Sequence, residues 1–496
     1  TTGGDDGGPG VDGATPTVDG NAPPVDGTSP GNDGASMPDG SAGPDGTAPT
    51  DGGEMDANDG ASPAALNCAE PNGVVHQRLG TIARSSNNDN NAVNLFNTGT
   101  PNHTIYRAVV PEQSSNMPNV YHVYTFDNGP NITDTPVPSS NGNVLKVRRY
   151  PGGLAALVEQ NVTDAGFSSQ ELAVYTLDDS ATAWSAGTVL TSNGILQQCA
   201  NRFEGDLVVI NAAQGDFLAE IEFESCGNPP TTTHAAMRTA SPMPAIWPLP
   251  PQNQEADAGD AGPPPQSFDI GALITSGTTV YSLTNPSGNG GPSPGIGSAL
   301  FTSSATALNQ VTTRELALVN TSDLMQGLSM SLLSRTGNIG VAFLEADLSQ
   351  TTIAPSFYVG SVAPSVMATL VPSSDLKATT VASVGDLPIN GASYHWESFA
   401  SPVASDDLIA VGSVFPGNNG LNFIWWDSAG NVRAKNTGTS SFFYSASSAY
   451  AILGGDATFS GTPFPALGGF EVVYVQTSSD ASTLADVWAT QINCSP

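Results

Sequence analysis

The chain has 496 residues, of which 12% are charged, 54 are glycine and 39 are proline. This abundance of turn-forming residues, with few long helix-forming runs, predicts an all-β chain of many short strands. Acidic residues outnumber basic ones 46 to 13, for a formal net charge of -33, and this balance excludes nucleic acid as a partner because phosphate binding needs clustered Lys and Arg.

Residues 1–67 have a composition of their own. Asp-Gly pairs recur every six to eight residues from Asp12 to Asp59, among Pro, Thr, Ser and Ala, and the segment has no Lys or Arg. Such a segment buries too little apolar surface to offset its ordering entropy, so it predicts a disordered, acidic tether. A calcium-binding repeat is the alternative, although each unit offers only one or two oxygen ligands. We expect no cofactor beyond weakly bound Ca²⁺.

The composition of this tether resembles the Asp/Gly/Pro-rich spacers that follow the lipidated cysteine of bacterial surface lipoproteins. The resemblance implies an extracellular or outer cell-surface location and a lipid anchor upstream of the sequence shown, and it implies no activity. The chain begins with Thr1 instead of Met, which fits a mature form after removal of a signal segment. No apolar run of about 20 residues is present, so no transmembrane segment is expected.

From Cys68 onward, pairs of apolar runs separated by polar turns predict β-hairpins. In chain order they are 104–110 with 119–126, 154–158 with 171–177, 207–210 with 217–223, 268–274 with 279–283, 339–344 with 353–359, 408–414 with 421–426, and 470–475 with 484–488. The runs 408–414 and 421–426 do not alternate between apolar and polar residues. This pattern indicates that both faces of the hairpin are covered by other sheets.

The spacing of these hairpins predicts a β-propeller of about seven four-stranded blades over residues 68–496. Six or eight blades stay open, because no dipeptide signature recurs from unit to unit. Residues 229–266 contain ten prolines. They predict a surface insertion or a linker between two halves, and a linker there favours the alternative fold of two β-sandwich domains.

The four cysteines are Cys68, Cys199, Cys226 and Cys494. They predict either two disulfides in an oxidising compartment or four buried free thiols. We favour Cys199 with Cys226, which flank a short strand pair, and Cys68 with Cys494, at the two ends of the folded part. A propeller often closes by adding its N-terminal strand to the last sheet, and the second disulfide would lock that closure.

No stretch of the sequence carries a catalytic signature, and no histidine pair has the spacing of metal ligands. Gly291 to Gly295 matches the G-x-S-x-G pattern, but prolines flank its serine, so a nucleophile elbow is not expected. Two pairs of carboxylates, Asp178-Asp179 and Asp406-Asp407, have two interpretations. Each pair could supply half of the acid pair of a glycosidase, or it consists of ordinary turn residues at a strand end.

Two groups are candidates for ligand binding. His395 and Glu397 lie two residues apart, so on a strand they share one face. The densest aromatic group contains Trp425, Trp426, Phe443 and Tyr444. Aromatic side chains of this kind either pack between blades or form a platform for a sugar or a peptide.

Together these features predict a non-enzymatic extracellular or cell-surface binding protein that meets a surface protein or a glycan through its propeller loops. Two alternatives remain open. A secreted polysaccharide hydrolase or lyase would gather carboxylates and His395 in one concave site of the channel. A structural subunit of a surface layer would show a large apolar or strand-edge contact.

Overall fold

The computed structural model describes residues 67–69, 76–83, 94–97, 105–112, 120–127, 129–138, 142–164, 167–190, 203–225, 231–248, 267–287, 299–316, 325–334, 338–347, 352–353, 356–380, 387–388, 394–400, 408–414, 421–426, 432–436, 450–452, 469–477 and 484–495. Almost all of these residues are strands, joined by antiparallel pairing into a series of four-stranded sheets. Within the ranges just given, no helix is long and apolar enough to span a membrane.

Consecutive strands of the chain build consecutive sheets, which we call blades. The first two strands, β1 (Asn67–Ala69) and β2 (Gln77–Ala83), belong to the last blade. Blade 1 contains β3 (Asn94–Asn97), β4 (Tyr106–Glu112), β5 (Val120–Phe126) and β6 (Ile132–Asp134). Blade 2 contains β7 (Gly142–Tyr150), β8 (Gly153–Asp164), β9 (Phe167–Asp178) and β10 (Thr188–Val189).

The middle of the chain repeats the arrangement. Blade 3 contains β11 (Phe203–Asn211), β12 (Asp216–Ser225), β13 (Thr231–Arg238) and β14 (Ser241–Trp247), with a 3-10 turn at Ala212–Gln214. Blade 4 contains β15 (Ser267–Ser276), β16 (Thr279–Ser287), β17 (Ala299–Ser304) and β18 (Ala307–Glu315).

Blades 5 to 7 complete the series. Blade 5 contains β19 (Met325–Ser334), β20 (Ile339–Asp347), β22 (Ser356–Val362) and β23 (Lys377–Thr380), with the helices α1 (Pro364–Met367) and α2 (Pro372–Asp375) between its last two strands. The short strands β21 (Thr352–Ile353) and β24 (Leu387–Pro388) pair separately. Blade 6 contains β25 (Tyr394–Ala400), β26 (Leu408–Val414), β27 (Leu421–Trp426) and β28 (Val432–Asn436), and blade 7 contains β29 (Tyr450–Ile452), β30 (Gly469–Thr477) and β31 (Leu484–Ser495).

The blades form a closed ring. The first strands of successive blades contact one another from β7 through β11, β15 and β19 to β25, so these strands lie nearest the ring axis. Blade 7 is completed by β1 and β2, which both pair with β31, and β2 also contacts β5 of blade 1. The prediction of a seven-bladed β-propeller is therefore confirmed, including its closure by the N-terminal strand. The alternative of two β-sandwiches is wrong.

Both faces of the blades are buried. In β8, Ala155 and Leu157 pack against blade 3, whereas Leu154, Ala156 and Val158 pack against blade 1. The described side chains form a separate apolar cluster in each of five seams. These are the seams between blades 7 and 1, 1 and 2, 2 and 3, 3 and 4, and 4 and 5. A strand covered on both sides needs apolar residues at every position. This explains why the apolar run 154–158 in β8 does not alternate with polar residues.

The expected insertion or linker over 229–266 is wrong for its first half. Residues 231–247 form β13 and β14, the two outer strands of blade 3. Pro242 and Pro244 are tolerated in β14 because this strand is at the edge of the sheet and pairs only with β13. Residues 249–266 lie outside the described residues.

Candidate functional site

The arginines among the described residues bind other parts of the ring. Six arginine side chains are described, and each of them binds a carboxylate or a backbone carbonyl: Arg78, Arg107, Arg148, Arg149, Arg238 and Arg314. Four of the six reach from one blade to the next. They link blade 1 to blade 2, blade 2 to blade 3, blade 3 to blade 4, and blade 4 to blade 5.

The second of these links joins three innermost strands. Arg148 of β7 donates two hydrogen bonds to Asp206 of β11, at 2.8 and 2.6 Å. The same carboxylate accepts the backbone N–H of Leu273 in β15 at 3.1 Å. Burial alone would raise the pKa of Asp206, but the charges of Arg148 and Lys146 bring it below its ordinary value. Asp206 therefore serves as an ionised anchor of the inner wall.

The paired carboxylates Asp178 and Asp179 are held by basic and phenolic partners. Arg149 donates to both oxygens of Asp179 at 2.8 Å, and the Tyr150 hydroxyl donates to Asp178 at 3.0 Å. Arg107, 3% exposed, donates to the backbone carbonyls of both residues at 3.2 Å. Burial and the hydrogen bond to Asp178 raise the pKa of Tyr150 to about 12. This network links blades 1 and 2 at their seam.

A second network is half exposed, at the seam where the ring closes. His122 of β5 lies between two carboxylates, with Nε2 at 2.6 Å from Glu112 and Nδ1 at 2.7 Å from Asp134. Glu112 also accepts the backbone N–H of Ala83 in β2 at 3.1 Å, and the imidazole stacks on Tyr124. The network therefore joins three strands of blade 1 to the outer strand of blade 7.

The chemistry of His122 follows from its two partners. Carboxylates only accept hydrogen bonds, so two short contacts require both ring nitrogens to donate, which is the protonated imidazolium. Burial lowers the pKa of His122, but the hydrogen bonds and charges of Asp134 and Glu112 outweigh it, so the pKa is raised above 6.5. Because both nitrogens are occupied by acidic partners, neither is available as a nucleophile or metal ligand.

A second histidine network is fully buried between blades 3 and 4. His234 of β13 lies 3.7 Å from Glu220 and 3.4 Å from Glu222, both of β12, and stacks on Phe301 of β17. His234 and Glu220 are 0% exposed. Among the described residues, the ring nitrogens of His234 and both carboxylate oxygens of Glu220 have no hydrogen-bond partner. Buried polar groups in this state are rare in native proteins.

The residues predicted to bind a ligand occupy different parts of blade 6. His395 and Glu397 are in β25, the strand of this blade nearest the axis, and their positions two residues apart place them on one face of the sheet. Trp425 and Trp426 are in β27, the third strand outward. Phe443 and Tyr444 lie outside the described residues, as do Asp406 and Asp407. The four residues in strands therefore belong to two different strands of blade 6, and the binding role remains a prediction.

The arginine links and the histidine networks could not be found by motif. Their members are separated by up to tens of residues and come together only through blade packing, for example Arg148 and Asp206. The one available signal was composition, since 13 basic residues in a chain of 496 are few enough to be structural. In the part of the chain that is described, no group of three His, Cys, Asp or Glu residues could hold a metal ion.

No protein-family model and no curated protein matches the chain. Several solved structures resemble it in fold. The α-L-arabinofuranosidase Arb93A from Fusarium graminearum has 8% sequence identity and a TM-score of 0.40, with 84% of this chain and 96% of that chain covered. The ulvan lyase of family PL25 has 9% identity and a TM-score of 0.42, covering 71% and 82%. The β-propeller domain of Nup133 from Vanderwaltozyma polyspora has 10% identity and a TM-score of 0.38, covering 86% and 98%. At 8–10% sequence identity, the similarity concerns the fold alone.

Proposed function

We propose that the protein is a non-enzymatic binding protein of the cell exterior, and that its loops at the ends of the blades engage a cationic protein partner. The observation that supports this proposal is the distribution of basic and acidic residues. The described arginines are bound within the ring, whereas acidic residues exceed basic ones by a wide margin.

The acidic excess is not confined to the predicted tether. Residues 1–67 hold 12 of the 46 acidic residues and none of the 13 basic ones, so residues 68–496 hold 34 acidic and 13 basic residues, a net of -21. A surface of this sign attracts basic partners and accelerates their association. It repels uronic acid polymers and other polyanions, which disfavours a lyase acting on such chains.

Binding measurements with three probes test this proposal. The full chain is immobilised and exposed to a lysine-rich protein such as cytochrome c, to a neutral arabinan, and to polygalacturonate, at 50 and 300 mM NaCl. We expect saturable binding of the basic protein that weakens by at least tenfold at the higher salt, and no binding of the polyanion.

A peptide of residues 1–66 is the matched control, because it carries acidic charge without the ring. Binding of the basic protein by this peptide as tightly as by the full chain would contradict a ring-borne site. Salt-independent binding of arabinan would instead establish a glycan as the ligand.

Glycoside hydrolysis is the second candidate, on the strength of one placement. β25 carries His395 and Glu397 on the strand of blade 6 nearest the axis, where substrates of an axial site would lie. Release of reducing sugar from arabinan by the full chain, abolished in Glu397→Gln, would support it. Absence of release from a panel of neutral polysaccharides would leave the binding role.

A further inference from the structure

The ring is closed by a short ladder that brings two cysteines opposite each other. β1 pairs antiparallel with the end of β31, and the partners are Asn67 with Ser495, Cys68 with Cys494, and Ala69 with Asn493. The remaining part of β31 pairs with β2 from Gln77 to Ala83. The first and the last strand of the described ring thus share one sheet.

The register meets the backbone requirement for a disulfide. Directly opposed residues of antiparallel strands have Cα atoms about 4.5 or 5.5 Å apart, depending on whether the pair is hydrogen bonded. Disulfides in proteins span Cα distances of roughly 4.4 to 6.8 Å. Opposed residues also lie on the same face of the sheet, as bond formation requires. We propose that Cys68 and Cys494 form a disulfide that closes the ring covalently.

The reaction needs an oxidant, and a protein or small-molecule disulfide supplies it. One cysteine attacks the oxidant as a thiolate and forms a mixed disulfide, releasing the first thiol of the oxidant. The second cysteine then displaces the other thiol and forms the Cys68–Cys494 bond. The two cysteines lose two protons and two electrons, and the oxidant is reduced to two thiols.

The remaining two cysteines, Cys199 and Cys226, lie outside the described residues. In the sequence they flank a different ladder, in which Phe203 of β11 and Phe223 of β12 are register partners, four residues after Cys199 and three before Cys226. This ladder belongs to blade 3 and is separate from the closing ladder. This separation favours the pairing of Cys68 with Cys494 over either crossed pairing.

The closing ladder has a reason to need a covalent bond. β1 contributes only three residues, and a ladder of three pairs at a sheet edge opens readily. The linked residues are at the two ends of the ring, so the bond encloses almost the whole folded chain. Closing so long a loop constrains the unfolded state strongly.

A peptide map of the full chain tests the proposal directly. The protein is exported to an oxidising compartment, or incubated with glutathione disulfide, then alkylated under denaturing conditions and digested without reductant. We expect a linked pair of peptides that contain Cys68 and Cys494. Alkylation of both residues, or linkage of Cys68 to Cys199 or Cys226, would overturn the proposal.

Thermal unfolding with and without reductant gives a second readout. Reduction of the wild-type chain should lower Tm on the order of 5 °C through loss of the closing bond. The double variant Cys199→Ser with Cys226→Ser, as matched control, should keep most of that shift, and the double variant Cys68→Ser with Cys494→Ser should keep only the smaller part that a Cys199–Cys226 bond contributes. An unchanged shift in the latter variant would contradict the proposal, and if that variant fails to fold, the peptide map of the wild-type chain decides.

Discussion

Two described histidines each lie between two carboxyl groups, with different consequences. His122 is half buried and makes two hydrogen bonds of 2.6 and 2.7 Å, so its positive charge is satisfied in place. His234 is fully buried, and the carboxylates of Glu220 and Glu222 are 3.7 and 3.4 Å away. The first network should contribute stability that depends on pH. The second should be sensitive to removal of any one member.

The stabilising effect of His122 should disappear as the pH rises. Its pKa is raised above the ordinary 6.5, so its contribution is fully present below about pH 6.5 and is lost as the pH passes through the higher folded-state pKa. We expect His122→Gln to lower the free energy of unfolding most at pH 6 and progressively less toward pH 9. Urea unfolding of both proteins across this range measures the difference.

The comparison of the two proteins removes the background from other titrating groups, including the acidic residues 1–67. His76→Gln is the control, because His76 lies outside this network. A difference between wild type and His122→Gln that stays constant from pH 6 to pH 9 would show that His122 is not the imidazolium inferred from its contacts.

Removal of one member of the buried network of Glu220, Glu222 and His234 should destabilise the protein strongly. Replacement of all three by apolar residues should destabilise it much less. His234→Phe keeps the aromatic contact with Phe301 but leaves two buried carboxyl groups facing each other, so we expect a loss of about 3–5 kcal/mol. Combining it with Glu220→Leu and Glu222→Leu removes the polar groups together. The triple variant should then recover most of that loss.

Chemical denaturation of the single and triple variants measures both effects. A triple variant less stable than His234→Phe would mean that the carboxyl groups have favourable interactions without the histidine. The expected cost of leaving them buried without it would then be wrong. Glu222 in particular has further contacts of its own, so Glu220→Leu with His234→Phe is the informative intermediate.

At the scale of elements, the innermost strands are held together by polar bonds of their side chains as well as by apolar packing. Asp206 in β11 receives Arg148 from β7 and the backbone of Leu273 in β15, so one carboxylate holds three neighbouring blades. The ring geometry explains this arrangement, because the first strands of successive blades lie side by side around the axis. Each such link fixes the angle between blades as well as their distance.

Asp206→Asn should therefore destabilise the ring strongly. The substitution preserves shape but removes the charge of a carboxylate that is almost fully buried and accepts two hydrogen bonds from Arg148, and we expect a loss on the order of 3–5 kcal/mol. Asp486→Asn is the matched control, since its carboxylate also accepts two hydrogen bonds from an arginine, Arg78, but in an exposed pair. This control should cost about 1 kcal/mol.

Urea unfolding at pH 7 and at lower pH checks the assignment. The folded pKa of Asp206 lies below the ordinary 3.8, so the difference between wild type and Asp206→Asn should be constant above about pH 4 and shrink as the pH falls through the folded pKa. Equal losses for the two variants at pH 7 would contradict a special role for the inner wall.

Hairpins were the part of the fold that the sequence could predict. The runs 408–414 and 421–426 coincide with β26 and β27, and 470–475 with 484–488 falls within β30 and β31, because short apolar runs bounded by polar turn residues are typical of strands. Outer strands were missed where they lack this signature. β14 contains Pro242 and Pro244, and a strand that pairs on one side only can accept them.

The candidate site was harder to predict, for a related reason. Arg107 binds carbonyls 70 to 72 residues away in sequence, and such contacts exist only after the blades have packed. Asp178 and Asp179 have the sequence context of a catalytic pair and of a turn, and their contacts with Arg149 and Tyr150 exist only in the folded chain. Trp425 and Trp426 show the same limit, since a strand interior and a binding platform favour the same residues.

At the scale of the whole molecule, the N-terminal strands complete the ring. β2 buries Leu79 and Ile82 against blade 1 and pairs with β31, and Arg78 binds Asp486 of β31. Residues 1–66, in contrast, have the composition of a tether. The boundary between the part of the chain that the folded ring does not need and the part that it needs should therefore lie just before β1.

Two N-terminal deletions locate this boundary. Removal of residues 1–66 should leave Tm unchanged within about 1 °C, because a segment of Gly, Pro and Asp buries little apolar surface. Removal of residues 1–84 also takes away β1 and β2, and the lost burial of Leu79 and Ile82 alone should cost roughly 3–6 kcal/mol. The same deletion exposes the backbone of β31 as an open edge, so self-association should appear in size-exclusion chromatography with light scattering.

A third deletion, of residues 1–69, separates the two strands, because it removes β1 and Cys68 but keeps β2. If the closing ladder matters mainly through its disulfide, this variant should match the reduced wild-type chain in Tm and remain monomeric. A large loss of stability on removing residues 1–66 would show that the acidic segment is part of the folded ring, and the flexible tether would have to be abandoned.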